Sequence, residues 1–290
     1  MLLWLAATDD PLLLTTEKLI AEGKFQQALD TLAPAPLSFR RHQLASKAHD
    51  GLHDARRAVE QAEAALVLDP QSEAAHLQLG QIFLGHYTPQ AAADVFTEAL
   101  QFHPASLVLR LGRGLAWKDL MRYDAAEADL RQCLDQRPDL PIAFDALATV
   151  YLQTKRFDEL LTLSGGFSER NPRDYRGTYF AAAARDGLQQ PGPGTDALLA
   201  QSIQLNPRFA ASHALLGKRR LASGDFPAAI GELELALTLR PDYSPAALHL
   251  AQAYQKAGRP SDAANAFKRV REIKEKEQTP PAGLIFHRGK

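Results

Sequence analysis

An all-α solenoid of about eight antiparallel helix–turn–helix units is the fold class that this 290-residue chain predicts. Three observations predict it. Prolines recur at Pro70, Pro104, Pro138, Pro172, Pro207 and Pro241, with gaps of 34, 34, 34, 35 and 34 residues. With these prolines at position 32 of a 34-residue frame, position 8 is small throughout: Thr16, Ser46, Gly80, Gly114, Ala148, Ala182, Gly217 and Ala251. Each frame also holds two segments whose apolar residues recur at helical spacing, as in Leu79, Ile82, Phe83 and then Ala92, Val95, Phe96, Ala99, Leu100.

The frame assigns the elements in order. In the first repeat the helices divide at Gly23. Only 30 residues separate Ala28 from Ala58, so this repeat has lost about one turn, at Pro34 and Pro36. The breakers expected between the two helices of later repeats are Pro89, Gly187, Gly224 and Gly258. Each second helix runs into Asp-Pro, His-Pro, Arg-Pro or Asn-Pro, where proline disfavours the α conformation of the residue before it and the helix stops. Position 20 is alanine in six of eight repeats (Ala28, Ala58, Ala92, Ala126, Ala229, Ala263), so positions 8 and 20 are expected to cross within a pair. Phe96, Leu130, Leu233 and Phe267 at position 24 are expected to fill the space between pairs. No pair buries its apolar face alone, so the units must stack.

Two irregularities follow one another. Gly165 and Gly166 fall where the second helix of the fifth repeat should continue, and adjacent glycines cost about 1 kcal/mol each against alanine there. The sixth repeat carries Gln-Gln-Pro-Gly-Pro-Gly at 189–194 and one extra residue. Together they read either as a soft joint between blocks 9–164 and 175–277 or as drift in a tolerant loop, and drift is the expectation. The last helix ends in the polar run 268–277, as a terminal solenoid helix should. Residues 278–290 are expected to be a flexible tail, with Leu284, Ile285 and Phe286 as a docking alternative. Residues 1–8 form an apolar segment that either caps the first helix or is the tail of a truncated export signal, since it lacks a basic start. The expected compartment is the cytoplasm, with export following from the second alternative.

The chemistry of the chain points away from catalysis. A net charge of −1 gives no global field to draw in nucleic acid, and no stretch reaches the roughly 18 apolar residues of a membrane span. His49 and His53 sit four apart, but Asp50 and Gly51 break the zinc-protease pattern and no third ligand is near in sequence. The single cysteine, Cys133, occupies position 27, otherwise mostly small, and reads as a buried core residue. No paired carboxylates and no Ser-His-Asp set stand out. No catalytic residue, cofactor or metal is expected.

The pattern resembles the tetratricopeptide repeat. Leu79-Gly80 with Phe83, Gly-Asp-Phe-Pro-Ala-Ala at 224–229 and Leu-Arg-Pro-Asp at 239–242 carry the likeness, which extends over about residues 9–277. The aromatic frequent at position 4 is mostly replaced, by His42, His76, Arg110, Thr178 and His213, with Phe144 the exception. A pentatricopeptide array has a similar period but would need a basic, RNA-reading surface. The resemblance implies a right-handed superhelical solenoid whose first helices line a concave groove through positions 2, 5, 6, 9 and 12.

Those positions carry Leu77, Gln78, Gln81 and Leu84 in the third repeat and Val108, Leu111, Leu115 and Lys118 in the fourth. The fifth supplies Ile142, Asp145, Thr149 and Leu152, and the sixth Arg176, Tyr179 and Phe180. These fifteen residues are the expected partner-binding groove. The Lys and Asn pairs of a carboxylate clamp and the asparagine ladder of the sugar-transferring members do not appear in register. The function implied is a protein–protein interaction scaffold that holds an extended or helical segment of a partner protein, itself a monomer or weak self-associator. Self-assembly, or service as the interaction module of a larger enzyme or signalling system, are the alternatives.

Overall fold

The computed structural model describes residues 10–190 and 193–278, which form sixteen α-helices in two compact units. Segment 1–8 and the Leu284-Ile285-Phe286 tail lie outside the described residues. The first unit, up to residue 136, holds α1 (Pro11–Ala21), α2 (Phe25–Leu32), α3 (Phe39–Gly51), α4 (Ala55–Leu68), α5 (Glu73–Gly85), α6 (Pro89–Phe102), α7 (Leu107–Asp119) and α8 (Tyr123–Gln136). The second, from residue 137, holds α9 (Pro141–Gln153), α10 (Phe157–Arg170), α11 (Tyr175–Gly187), α12 (Pro193–Leu205), α13 (Ala210–Ala222), α14 (Phe226–Leu239), α15 (Ser244–Lys256) and α16 (Pro260–Gln278). Odd-numbered helices are the first of each pair. Within each unit every helix packs on the next, so eight pairs build an all-α helical repeat solenoid.

The helix ends follow the local chemistry. Each second helix from α4 to α14 stops two residues before its framing proline. The intervening residue is pushed out of the helical region, as at Asp69 (ψ 87°), His103 (ψ 64°) and Arg240 (ψ 92°). Ser38, Ser72 and Ser106 recur at the same register and cap α3, α5 and α7, accepting from the amides of Arg41, Ala75 and Leu109. The first repeat is short as expected, because α2 has 8 residues against 14 in α4, α6 and α8.

The turn within each pair differs from the expectation in two places. Pro89 opens α6 and Gly187 closes α11, so neither is the breaker. The chain instead reverses through a left-handed residue at position 15 of every repeat: Gly23, His53, Tyr87, Met121, Lys155, Gln189, Gly224 and Gly258, with φ from 53° to 85°. The amide three residues beyond the helix then bonds back across the turn, as Thr88 N to Phe83 O (2.8 Å) and Arg122 N to Trp117 O (2.8 Å).

Small residues do admit close packing, with one refinement. Position 24 sits on position 8 of its own pair as well as on the next pair. A Cβ on Gly80 would lie 2.3 Å from the Phe96 ring, and a Cβ on Gly112 of the following repeat 2.5 Å from the same ring. Leu233 presses on Gly217 in the same way, at 2.6 Å. The glycine pair in the fifth repeat does not interrupt its helix: α10 runs unbroken from Phe157 to Arg170. Its neighbour α11 comes close enough that a Cβ on Gly177 would meet Ser168 Oγ at 2.1 Å.

At His42, Arg110 and His213 the missing position-4 aromatic is replaced by a polar tie from first to second helix. His42 Nδ1 meets Gln61 Oε1 at 2.8 Å, and His213 Nδ1 meets Glu232 Oε2 at 2.7 Å. In the fourth repeat Arg113 donates two parallel hydrogen bonds of 2.8 Å to Asp129, with Arg110 at 3.6 Å. Where the aromatic remains, Phe144 stacks on Phe167 with centroids 3.8 Å apart. Cys133 is fully buried, and burial pushes its thiol up to about 11, as a core residue requires.

Candidate partner-binding groove

The expected groove residues lie on the first helices of both units, and each unit is described separately. In the first, α1 packs on α3, α3 on α5 and α5 on α7, so successive first helices form one wall. Leu77 and Leu84 of α5 are partly buried against the core cluster containing Phe83 and Phe96. Gln78 is buried and its amide donates to the Gln43 carbonyl of α3 at 3.0 Å, tying neighbouring first helices. Gln81 and Val108 are exposed, Val108 to 43%, while Leu111, Leu115 and Lys118 of α7 are half-buried. Lys118 pairs locally with Asp119 at 2.8 Å.

In the second unit α9 packs on α11 and α13 on α15. Ile142 is 55% exposed, at the same frame position as Val108. Asp145 of α9 accepts from Arg176 Nε of α11 at 2.9 Å, and Arg176 also bonds Asp174 at 2.7 Å. Thr149 returns its hydroxyl to the Asp145 carbonyl at 2.7 Å. Leu152 and Tyr179 are half-buried, and Phe180 is buried edge-on to Phe144 at 5.6 Å. Gln78, Asp145 and Arg176 thus hold first helices together, Phe180 supports the wall from behind, and the aliphatic residues are left without such ties.

The second-helix side differs. A cavity of about 500 Å³ between α14, α15 and α16 has its charged groups and its tyrosine already engaged: Tyr254 donates to Glu234, Arg259 to Asp262, and Arg269 to the Pro241 carbonyl. Among the described residues no group of three or more His, Cys, Asp or Glu could hold a metal ion, and no helix is long and apolar enough to cross a membrane. The residues that sequence reasoning missed are the position-4 ties. Their signal was available, because His42–Gln61, Arg110–Asp129 and His213–Glu232 share one spacing of 19 residues.

Comparison with known proteins places this geometry. Residues 44–106 and 220–281 each match a tetratricopeptide repeat family model. A tetratricopeptide repeat protein from Parabacteroides merdae is similar in structure, with a TM-score of 0.67 at 16% identity over 84% of this chain and 97% of that one. The APC/C hetero-tetramer Cut9-Hcn1 follows at 0.62 and 16% identity, over 85% of this chain and 49% of that one. YrrB, described as a TPR protein with an unusual peptide-binding site, aligns at 0.51 and 17% identity over 68% of this chain and 95% of that one. At these identities the likeness is one of fold. No curated protein sequence matches the chain. Repeats of this family are protein-interaction modules. With two family matches, a 34-residue frame and eight stacked helix pairs, the chain is a tetratricopeptide repeat protein.

Proposed function

We propose that the first-helix faces bind a segment of a partner protein, in an extended or helical conformation, through aliphatic anchors. One observation carries the reading: Val108 and Ile142, equivalent positions in consecutive repeats, are large apolar side chains left 43% and 55% exposed on first helices. Single exposed apolar residues are common on any surface. These two recur in register beside half-buried Leu111, Leu115 and Leu152, so each unit presents an apolar strip rather than an isolated side chain.

The test is affinity capture from native lysate with wild type and a Val108→Glu/Ile142→Glu variant. Both side chains are exposed, so the helical content by circular dichroism should not change. Loss of a specific co-purifying protein supports the reading. An unchanged partner set from a folded variant overturns it. Sedimentation at several concentrations separates this function from self-assembly, which would show a mass that grows with concentration.

A further inference from the structure

In the second unit the first helices do not follow one another evenly. Helices α9 and α11 pack directly, as do α13 and α15, whereas α11 and α13 lack comparable packing. The parting follows the sixth repeat, the one with 35 residues. A cavity of about 320 Å³ opens there. Tyr179 of α11, Leu215 of α13 and Pro245 of α15 give it apolar walls, and Tyr243 meets the hydroxyl of Tyr179 at the floor.

The polar groups around this cavity are unequal in charge. Asp186 is shared by Lys218 at 2.7 Å and Arg219 at 3.4 Å, and Arg219 also holds Asp196 at 2.5 Å. Lys155 lies on the rim, exposed and without an ion pair among the described residues. Two carboxylates therefore face three cations. The Lys218 ammonium uses one of its three donors on Asp186. Nδ1 of His249, which also lines the cavity, is buried without a hydrogen-bond partner of normal geometry. Burial first, then the nearby Lys218 charge, holds His249 below its usual range, so its ring is neutral at pH 7. A cavity near 300 Å³ is at the small end of ligand sites. It accommodates one side chain and its flanks rather than a whole helix.

We infer that this cavity is the specificity pocket of the partner-binding face. It takes one large apolar side chain of an extended partner segment, with an adjacent Asp or Glu carboxylate set on Lys155 and Lys218. The inference rests on the reading proposed above and sharpens it: the apolar wall receives the anchor, and the excess positive charge selects what flanks it. His249 offers a hydrogen bond to the same segment.

The test is selection of a random twelve-residue library, displayed between fixed flanks so that no free terminus is presented, on the full chain. The expected winners carry an aromatic or large aliphatic residue within two positions of Asp or Glu. Their affinity falls at least about 10-fold with Lys155→Glu/Lys218→Glu and with Leu215→Glu, and is unchanged by Val67→Glu, an exposed position on the second helix α4. Lys155→Glu alone, on an exposed turn, keeps the test valid if a wall variant fails to fold; it should weaken acidic winners and not neutral controls. Winners with no acidic bias, or with binding indifferent to the Lys155, Lys218 and Leu215 changes, overturn the inference. If such winners are lost with Val108→Glu, the first-helix reading survives without the pocket. If nothing is enriched, both fall.

Discussion

Gly80→Ala and Gly165→Ala make the same chemical change inside two helices, α5 and α10, and the packing assigns them opposite signs. Intrinsic propensity favours alanine by about 1 kcal/mol at either site. At Gly165 a Cβ meets nothing within 4 Å, so that gain should stand. At Gly80 it would lie 2.3 Å from Phe96 Cζ, well over 1 Å inside carbon–carbon contact. The ring cannot retreat, because the backbone at Gly112 blocks its other side, where a Cβ would lie at 2.5 Å. Phe96 is fully buried, and overpacking of this kind costs about 1–3 kcal/mol, toward the upper end with both sides blocked. The net expectation is destabilisation of about 1–2 kcal/mol for Gly80→Ala, and stabilisation of about 1 kcal/mol for Gly165→Ala. Urea unfolding followed by circular dichroism reads both as shifts of midpoint at constant slope. Adding Phe96→Leu should recover part of the Gly80→Ala loss. Equal signs for the two glycines, or a double variant no better than Gly80→Ala alone, would refute the account of how the pairs pack.

Three further predictions follow from the same contacts. Asp129→Ala leaves Arg113 and Arg110 without their shared carboxylate in a largely buried site, so about 3 kcal/mol of stability should be lost, while Asp129→Leu with Arg113→Met should restore most of it in the same urea assay. Cys133, with its thiol pushed up to about 11, should react with iodoacetamide at pH 8 at least about 100-fold more slowly in the native protein than in urea; equal rates would show that it is accessible. His249 is held below its unfolded value of about 6.5, so the unfolded chain takes the proton first and stability falls as pH drops below that value. His249→Gln should therefore flatten the loss of stability between pH 7.5 and 5.5, and an unchanged profile would contradict the burial assigned to this ring.

Much of the fold was legible because its constraints are steric. Proline at position 32 stops a helix whatever surrounds it, and a small residue at position 8 is needed wherever a second helix crosses closely. The left-handed turn residue was harder to read. Glycine marks it at Gly23, Gly224 and Gly258, but His53, Tyr87, Met121, Lys155 and Gln189 adopt the same conformation, held by the helix on either side. Composition hides such a position, and only its register in the frame reveals it. Gly165 and Gly166 mislead in the other direction, since a helix packed along its length tolerates glycines whose propensity alone would break it. For the groove, residue type indicated the first-helix faces but not which polar residues are already committed. Gln78 to Gln43 and Arg176 to Asp145 are ties across 35 and 31 residues, set by how neighbouring helices stack. The cavity beside α11 and α13 had one sequence clue, the extra residue of the sixth repeat, and needs inter-helix spacing to be seen.

The central claim is that partners are held on the first helices and not on the second. Site-specific photo-crosslinking tests it most directly, with a benzophenone amino acid placed in turn at Val108, Ile142 and Val67. Val67 is an 80% exposed apolar residue of α4, a second helix, and so controls for exposure alone. The account predicts that one partner protein is cross-linked from positions 108 and 142 and not from 67. Cross-linking from Val67 with equal or greater yield would contradict it.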